Sequence, residues 1–205
     1  MNALLRSWRA EDTDALAEVY ANADVDLTGN IPDDRSLVGA RAWIEQIHRA
    51  EAAGTASTFA IVVEPDRRIV GNVMASGIER RHSSAWVSYW IVADARGAGL
   101  TSAALRSFVD HLHDGLGIHR LELGYRTNNL ASAQVAKNAG FLVEGREREK
   151  LLYDGIRFDT EVCARLSTDP RISGPRLPNA DRSGTGGWAV ARLSCGERRA
   201  RSQST

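Results

Sequence analysis

The chain of 205 residues, 43% hydrophobic and 25% charged, has the balance of an ordinary globular protein and is long enough for one medium α/β domain with a core. Its net charge of zero removes any global argument for nucleic acid or an acidic membrane surface as a partner. Of the 26 Lys and Arg residues only Lys137 and Lys150 are lysine, a bias that points to a GC-rich, bacterial genome rather than to guanidinium chemistry.

Ala3 to Arg6 reads as a short strand. Asp12 or Thr13 then caps a helix with Leu16, Val19, Tyr20 and Ala23 on one face. Residues 25–34 carry Gly29, Pro32 and three acids and are expected to be a loop. A second helix runs from Ser36, with Leu37, Ala40, Ile44 and Ile47 at helical spacing, to about Gly54. Thr58 to Val63 and Ile69 to Ala75 flank the turn Pro65-Asp66 and predict a hairpin. Ala85 to Val92, aromatic and β-branched, predicts a buried strand. A glycine turn and a helix over 103–113 follow, then a strand over 119–125 and a helix over 130–138 stopped by Gly140. Two strands, 141–143 and 158–166, are expected around the polar stretch 144–157.

After residue 167 the composition changes. Three prolines, five glycines and an excess of seven arginines over three acids describe a segment unable to bury a core, so residues 1–167 form the domain and 168–205 a disordered tail. Cys163 and Cys195 show neither zinc spacing nor a disulfide framework. The N-terminus lacks a signal-peptide core, and no run of about 18 apolar residues is present to span a bilayer. A cytoplasmic protein with no metal is expected.

The segment Ile91-Val92-Ala93-Asp94-Ala95-Arg96-Gly97-Ala98-Gly99-Leu100-Thr101 reads as a strand, a glycine turn and a helix start. Backbone N–H groups at such a turn converge on one point and suit a phosphate, with Arg96 as a neighbouring cation. A Walker loop needs a lysine that is absent here. A dinucleotide fingerprint needs a third glycine where Ser102 stands, although Glu122 lies at a suitable distance for its acid.

The turn resembles motif A of the GNAT N-acetyltransferase superfamily, with Arg96, Gly99 and Thr101 at its key positions, Thr101 replacing the usual Gly or Ala. Ser88-Tyr89-Trp90-Ile91, Leu116 to Glu122, Asn129-Leu130-Ala131-Ser132, Asn138 to Phe141, Glu144-Gly145 and Asp154-Gly155 with Asp159 extend the likeness to the RimJ/RimL branch, over roughly residues 3–167. The resemblance implies an α+β fold, a mixed, twisted and mostly antiparallel sheet whose central strands splay apart and are flanked by helices. It implies acetyl-CoA as donor, with pantetheine along Ile91 and Val92 and pyrophosphate on the turn from Arg96 through Gly97, Ala98, Gly99 and Leu100 to Thr101. Asn129 would hold pantetheine, and the chemistry would be direct attack of an amine on the thioester.

The acid and base are less plainly marked. The tyrosine that many members carry seven residues after the Asn is Ala136 here, which turns attention to Ser132 as proton donor to the thiolate. The acids of some relatives at positions 86 and 124 are Trp86 and Gly124, leaving Glu122, on the same strand face as Gly124, as the candidate base. Glu79, His82, Asp26 and Tyr153 are further candidates, and His111, His113 and His119 read as structural. The acceptor is either a protein N-terminus or a small amine such as an antibiotic, in a monomer or homodimer. A non-catalytic acyl-CoA sensor and a nucleotide-binding regulator are the alternatives.

Overall fold

A computed structural model describes residues 2–182, apart from the side chains of Val25, Asp26 and Arg182. Strands β1 (Asn2–Arg6), β2 (Ser57–Glu64), β3 (Arg68–Glu79), β4 (Ser84–Ile91), β5 (Arg120–Arg126), β6 (Leu142–Tyr153) and β7 (Ile156–Leu166) form one sheet in the order β1-β2-β3-β4-β5-β7-β6. Every neighbouring pair is antiparallel except β4 and β5. Those two are parallel and share only three partner pairs, Ser84↔Arg120, Ala85↔Leu121 and Trp86↔Glu122. Beyond Trp86 the rest of β4 has no β5 partner, so the sheet opens at its centre.

Both faces of the sheet are covered. Helices α1 (Thr13–Ala21) and α3 (Leu37–Ala52) pack Leu16, Tyr20, Ile44 and Ile47 against Ala60, Val62 and Trp90. On the other face α4 (Leu100–Asp110) and α5 (Leu130–Asn138) bury Leu105, Phe108 and Ala136 against Ile61, Val73, Val87 and Leu121. Alternation along β4 and β5 explains the division: Val87, Tyr89, Leu121 and Leu123 face α4, whereas Trp86, Trp90 and Gly124 face the opposite side. Ser36 caps α3 by accepting from the Gly39 N–H at 3.2 Å, and Asn129 caps α5 by accepting from the Ser132 N–H at 3.0 Å.

Three segments differ from expectation. Residues 25–34 are not all loop: a short helix α2 (Val25–Thr28) forms, because Asp24 accepts from the Leu27 N–H and Leu27 is buried in the core. The polar stretch 144–157 is mostly strand, since β6 and β7 form one long hairpin turning at Asp154-Gly155. β6 is an outer strand, so its charged side chains stay in water while its backbone bonds β7.

The third difference concerns the tail. Residues 168–182 run along the domain as a strap. Leu177 is buried, and its N–H and C=O both bond the Ser107 hydroxyl at 2.8 Å. Arg106 donates to the Pro175 carbonyl, Arg176 pairs with Asp110, and the Leu5 N–H donates to the Pro178 carbonyl. Asn179 then forms a parallel bridge to Leu5 on the free edge of β1. One buried leucine, side-chain bonds from Arg106 and Ser107, the Arg176–Asp110 pair and the Leu5–Pro178 backbone bond dock a segment whose composition alone suggests disorder. Residues 183–205, with Cys195, lie outside the described region.

Candidate active site

The opening between β4 and β5 holds two cavities of about 160 Å³ each. One is lined by Ile91, Arg96, Gly97, Thr101 and Val135; the other by Trp86, Ser88, Gly124, Arg126, Leu151 and Tyr153. Asn30, Tyr89, Asn129 and Ser132 line both. The cavities therefore meet at one point, between the middle of β4 and the first turn of α5.

The glycine turn has the geometry expected of an anion site. Gly97 and Gly99 sit at φ 77° and 75°, and a Cβ at either would meet no protein atom within 4 Å. Glycine is thus required for the left-handed backbone, and the space beside it stays open to a ligand. Gly99 immediately precedes α4, whose first N–H groups lack helical partners. The turn does not offer all its side chains: Thr101 lines the cavity, but Leu100 is buried in the core and can contribute only its main chain. Val92 is extended and its N–H bonds the Val70 carbonyl, while Ala98 is an exposed turn residue.

Arg96 is engaged. Its guanidinium donates to both oxygens of Asp24, at 2.5 and 2.9 Å, and to the Ile91 carbonyl at 3.2 Å. The pairing with Arg96 holds the Asp24 carboxyl below its ordinary value. The segment from Asp24 to Asn30 is consequently latched over the cavity lined by Ile91, Arg96 and Thr101. At its other end a Cβ on Gly29 would lie 3.2 Å from the Tyr153 ring, so the same segment closes against the β6–β7 hairpin.

At the junction the Tyr89 hydroxyl donates to the Ser132 carbonyl at 3.1 Å, and burial pushes its pKa up to about 12. Ser132 and Asn129 line both cavities. Tyr89 was legible only as part of a strand motif. Its contact with α5 depends on the opening of the sheet.

Glu122 does not line either cavity. It accepts from the Arg120 Nε at 2.7 Å, and Arg120 also pairs with Glu144 of β6. The expected base is therefore one end of a surface ion cluster centred on Arg120, because Arg120 shares its strand face. Trp86 and Gly124 explain each other: a Cβ on Gly124 would come within 3.2 Å of the Trp86 ring and 3.1 Å of Thr160. The indole occupies the room an acid at 124 would need.

The other candidates separate clearly. Glu79 accepts from the Arg81 and His82 N–H groups and serves as a turn cap. Tyr153 lines the cavity of Trp86 and Gly124, where Arg126 lies 5.1 Å from its ring centroid. The Asp26 side chain falls outside the described residues. His111 packs against Phe59 and Phe108, the His113 Nδ1–H donates to the Ile118 carbonyl, and His119 bonds Ser167.

Similarity to known proteins agrees with this geometry. The chain is 33% identical over 112 residues to a probable N-acetyltransferase of Bacillus subtilis, YjcK, covering 54% of this chain and 62% of that one. It spans about three-fifths of the length of the curated relatives it matches first. A ribosomal-protein-S5-alanine acetyltransferase structure from Vibrio fischeri superposes with a TM-score of 0.77 at 21% identity, covering 82% of this chain and 95% of that chain. Mycobacterium smegmatis RimJ in complex with CoA-disulfide gives 0.69 at 23%, covering 79% and 80%. Residues 2–142 match the acetyltransferase (GNAT) domain model, and the chain belongs to that family.

Proposed function

We propose that this protein is an acetyl-CoA-dependent N-acetyltransferase in which donor and acceptor enter from opposite ends of the β4–β5 opening. The observation that carries this reading is the meeting of two cavities at Tyr89, Asn129 and Ser132. A ternary reaction of this kind needs the thioester and the amine in contact, with water largely excluded.

In this reading the glycine turn and the N-terminus of α4 receive the pyrophosphate, and the unpaired edge of β4 near Ile91 receives the pantetheine amides. The amine attacks the thioester carbonyl, forming the C–N bond. Collapse of the tetrahedral species then breaks the C–S bond. The nitrogen sheds a proton as the amide forms and the thiolate gains one; Ser132, at the junction, passes its hydroxyl proton to the sulfur and recovers one from the nitrogen, directly or through water. Tyr89 positions the first turn of α5 through the Ser132 carbonyl. Among the described residues lining the acceptor-side cavity there is no carboxylate or imidazole. That favours an amine already partly neutral near pH 7–8, as an α-amine of pKa about 7.7–8.0 is and a lysine side chain is not.

Calorimetry tests the donor: acetyl-CoA binds in the micromolar range, and ATP and NAD do not. The reverse pattern removes the reading. With an acceptor in hand, Ser132→Ala lowers turnover by about tenfold or more, as loss of a proton donor does, while acetyl-CoA affinity stays nearly unchanged. Unaltered turnover excludes Ser132 from the chemistry without touching the donor site. A non-catalytic acyl-CoA sensor would bind the donor and release no thiol with any amine.

A further inference from the structure

We infer that Arg106 is a positioning residue for acyl transfer: by bridging the strap and the end of α5, it sets where that helix presents Ser132. This rests on the acyl-transfer reading above and adds to it a residue that lines neither cavity. The strap lies outside residues 2–142, the span that matches the GNAT domain model.

Small residues hold α5 to the sheet. In this helix, about 13 Å long, Ala136 is the fully buried side chain, with Ala133 and Val135 half-buried beside it. Such a face resists sliding along the helix axis only weakly, because no large side chain interlocks with a neighbour. The register of α5 is therefore set at its ends. At the N-terminal end the Tyr89 hydroxyl donates to the Ser132 carbonyl at 3.1 Å. At the C-terminal end the Arg106 Nη1 donates to the Asn138 carbonyl at 3.0 Å, and the Asn138 Nδ2 donates to the Ser102 hydroxyl at 3.2 Å. Ser132 and Asn138 are separated by about 9 Å of stiff helix, so a shift at one end reaches the other.

Arg106 meets the strap with its remaining bond. Its Nε donates to the Pro175 carbonyl at 2.8 Å, so one guanidinium spans the end of α5 and the strap. The side chain is buried, and among the described residues it bonds main-chain carbonyls and pairs with no carboxylate. Taking a guanidinium out of water is costly unless its donors are used, and the carbonyl end of a helix suits a cation. Arg165 repeats the pattern from β7. It is buried too, and donates to the Gly140 carbonyl at 3.3 Å and the Pro170 carbonyl at 3.1 Å. A Cβ at Gly140 would lie 1.8 Å from its Nη1, so the glycine makes room for the bridge. Two buried arginines thus tie the end of α5 to the strap, which Ser107 and the Arg176–Asp110 pair fasten to α4. A strap that only covered the edge of β1 would need none of these bonds to α5.

The test reads kcat at saturating acetyl-CoA and amine. Arg106→Met keeps the packing of the stem and removes both donors. kcat falls by about tenfold, less than the hundredfold that a displacement of about 1 Å can cost. In a Ser132→Ala background the same substitution adds little to the loss, because its effect runs through that hydroxyl. A full loss in both backgrounds is the additivity of a merely structural role and overturns the inference. Arg106→Lys keeps the charge without the fork, so kcat stays low. Recovery by lysine shows that charge alone is needed, which overturns the bridge.

Amide hydrogen exchange supplies a readout that needs no acceptor. The Ala133 N–H bonds the Asn129 carbonyl at 3.0 Å in the first turn of α5. Its exchange quickens by about tenfold in Arg106→Met, as a looser helix opens more readily, while amides of β2 and β3 keep their rates. Faster exchange confined to residues 138–140 is local fraying and overturns the inference. Ser107→Ala, which frees the main chain of Leu177 and leaves Arg106 in place, moves kcat and exchange in the same direction by smaller amounts. It covers the case in which Arg106→Met does not fold, and unaltered values there show that the strap has no hold on α5. Acetyl-CoA binding without transfer to any amine fails the acyl-transfer reading instead, and exchange at Ala133 then still decides whether Arg106 holds the helix.

Discussion

Trp86 lies across Gly124 on the face of the sheet that looks into the cavity both residues line, and it remains 37% exposed. The two residues are coupled by volume. An acid at position 124 would have its Cβ within 3.2 Å of the indole, and Thr160 closes the other side at 3.1 Å. Gly124→Ala is therefore expected to destabilise by about 1 kcal/mol through overpacking, with a smaller cost in a Trp86→Ala background. Thermal or urea unfolding of the four proteins of that cycle measures the coupling. Equal cost in both backgrounds would show that Thr160 alone sets the limit. The sequence shows that both positions lack an acid but not that one absence entails the other, because the contact crosses from β4 to β5. Glu122 is the converse case. Strand alternation correctly placed it on the face of Gly124, yet Arg120 on the same face, with Glu144 from β6, claims its carboxylate.

Among the elements, α2 departs most from its sequence pattern. Pro32, Gly29 and the acids read as loop, whereas the buried Leu27 and the Asp24 cap make one helical turn of it. Its cap residue is also the partner of Arg96, which motif reasoning assigned to a phosphate. Asp24→Asn keeps a capping side chain and removes the charge. Acetyl-CoA is then expected to bind more tightly, by up to about fivefold given the modest worth of half-exposed ion pairs. Calorimetry reads the change, and weaker binding would show that Asp24 does not compete with the donor. The sign of its pH dependence follows from the depressed carboxyl pKa. The pair is fully formed above the ordinary Asp value of 3.8 and is lost only as pH falls below it, so the effect stays constant between pH 6 and 9. Helices and central strands were legible because their apolar periodicity matches what they bury. β7 was read nearly to its bounds, but most of β6 was not, since an outer strand of charged residues carries no such period.

At the scale of the molecule, the domain ends later than composition indicates. Proline, glycine and arginine mark the strap as unable to form a core of its own. What they do not report is that Leu177 finds a place in the existing core, beside Ser107. Leu177→Ala is expected to cost about 2 kcal/mol or more, a fall in melting temperature of roughly 4–8 °C. A change of less than a degree would mean that the strap melts apart from the domain. By bridging Leu5 with Asn179 the strap also covers part of the outer edge of β1, while β6 at the far edge of the sheet has no strand beyond it among the described residues. That outer strand is protected by arithmetic instead. When two copies of one strand join antiparallel about a two-fold axis, facing residues lie on the same side of the sheet and so differ by an even number. Straightened for such a pairing, Arg146-Glu147-Arg148-Glu149-Lys150, which alternates in sign with a period of two, would within this segment set arginine against arginine or lysine and glutamate against glutamate. The four steps from Glu147 to Leu151 also match only two on β7, from Thr160 to Phe158, which breaks the straight edge a second copy would need. A strand that bonds readily to β7 is thus, by parity, a poor partner for itself.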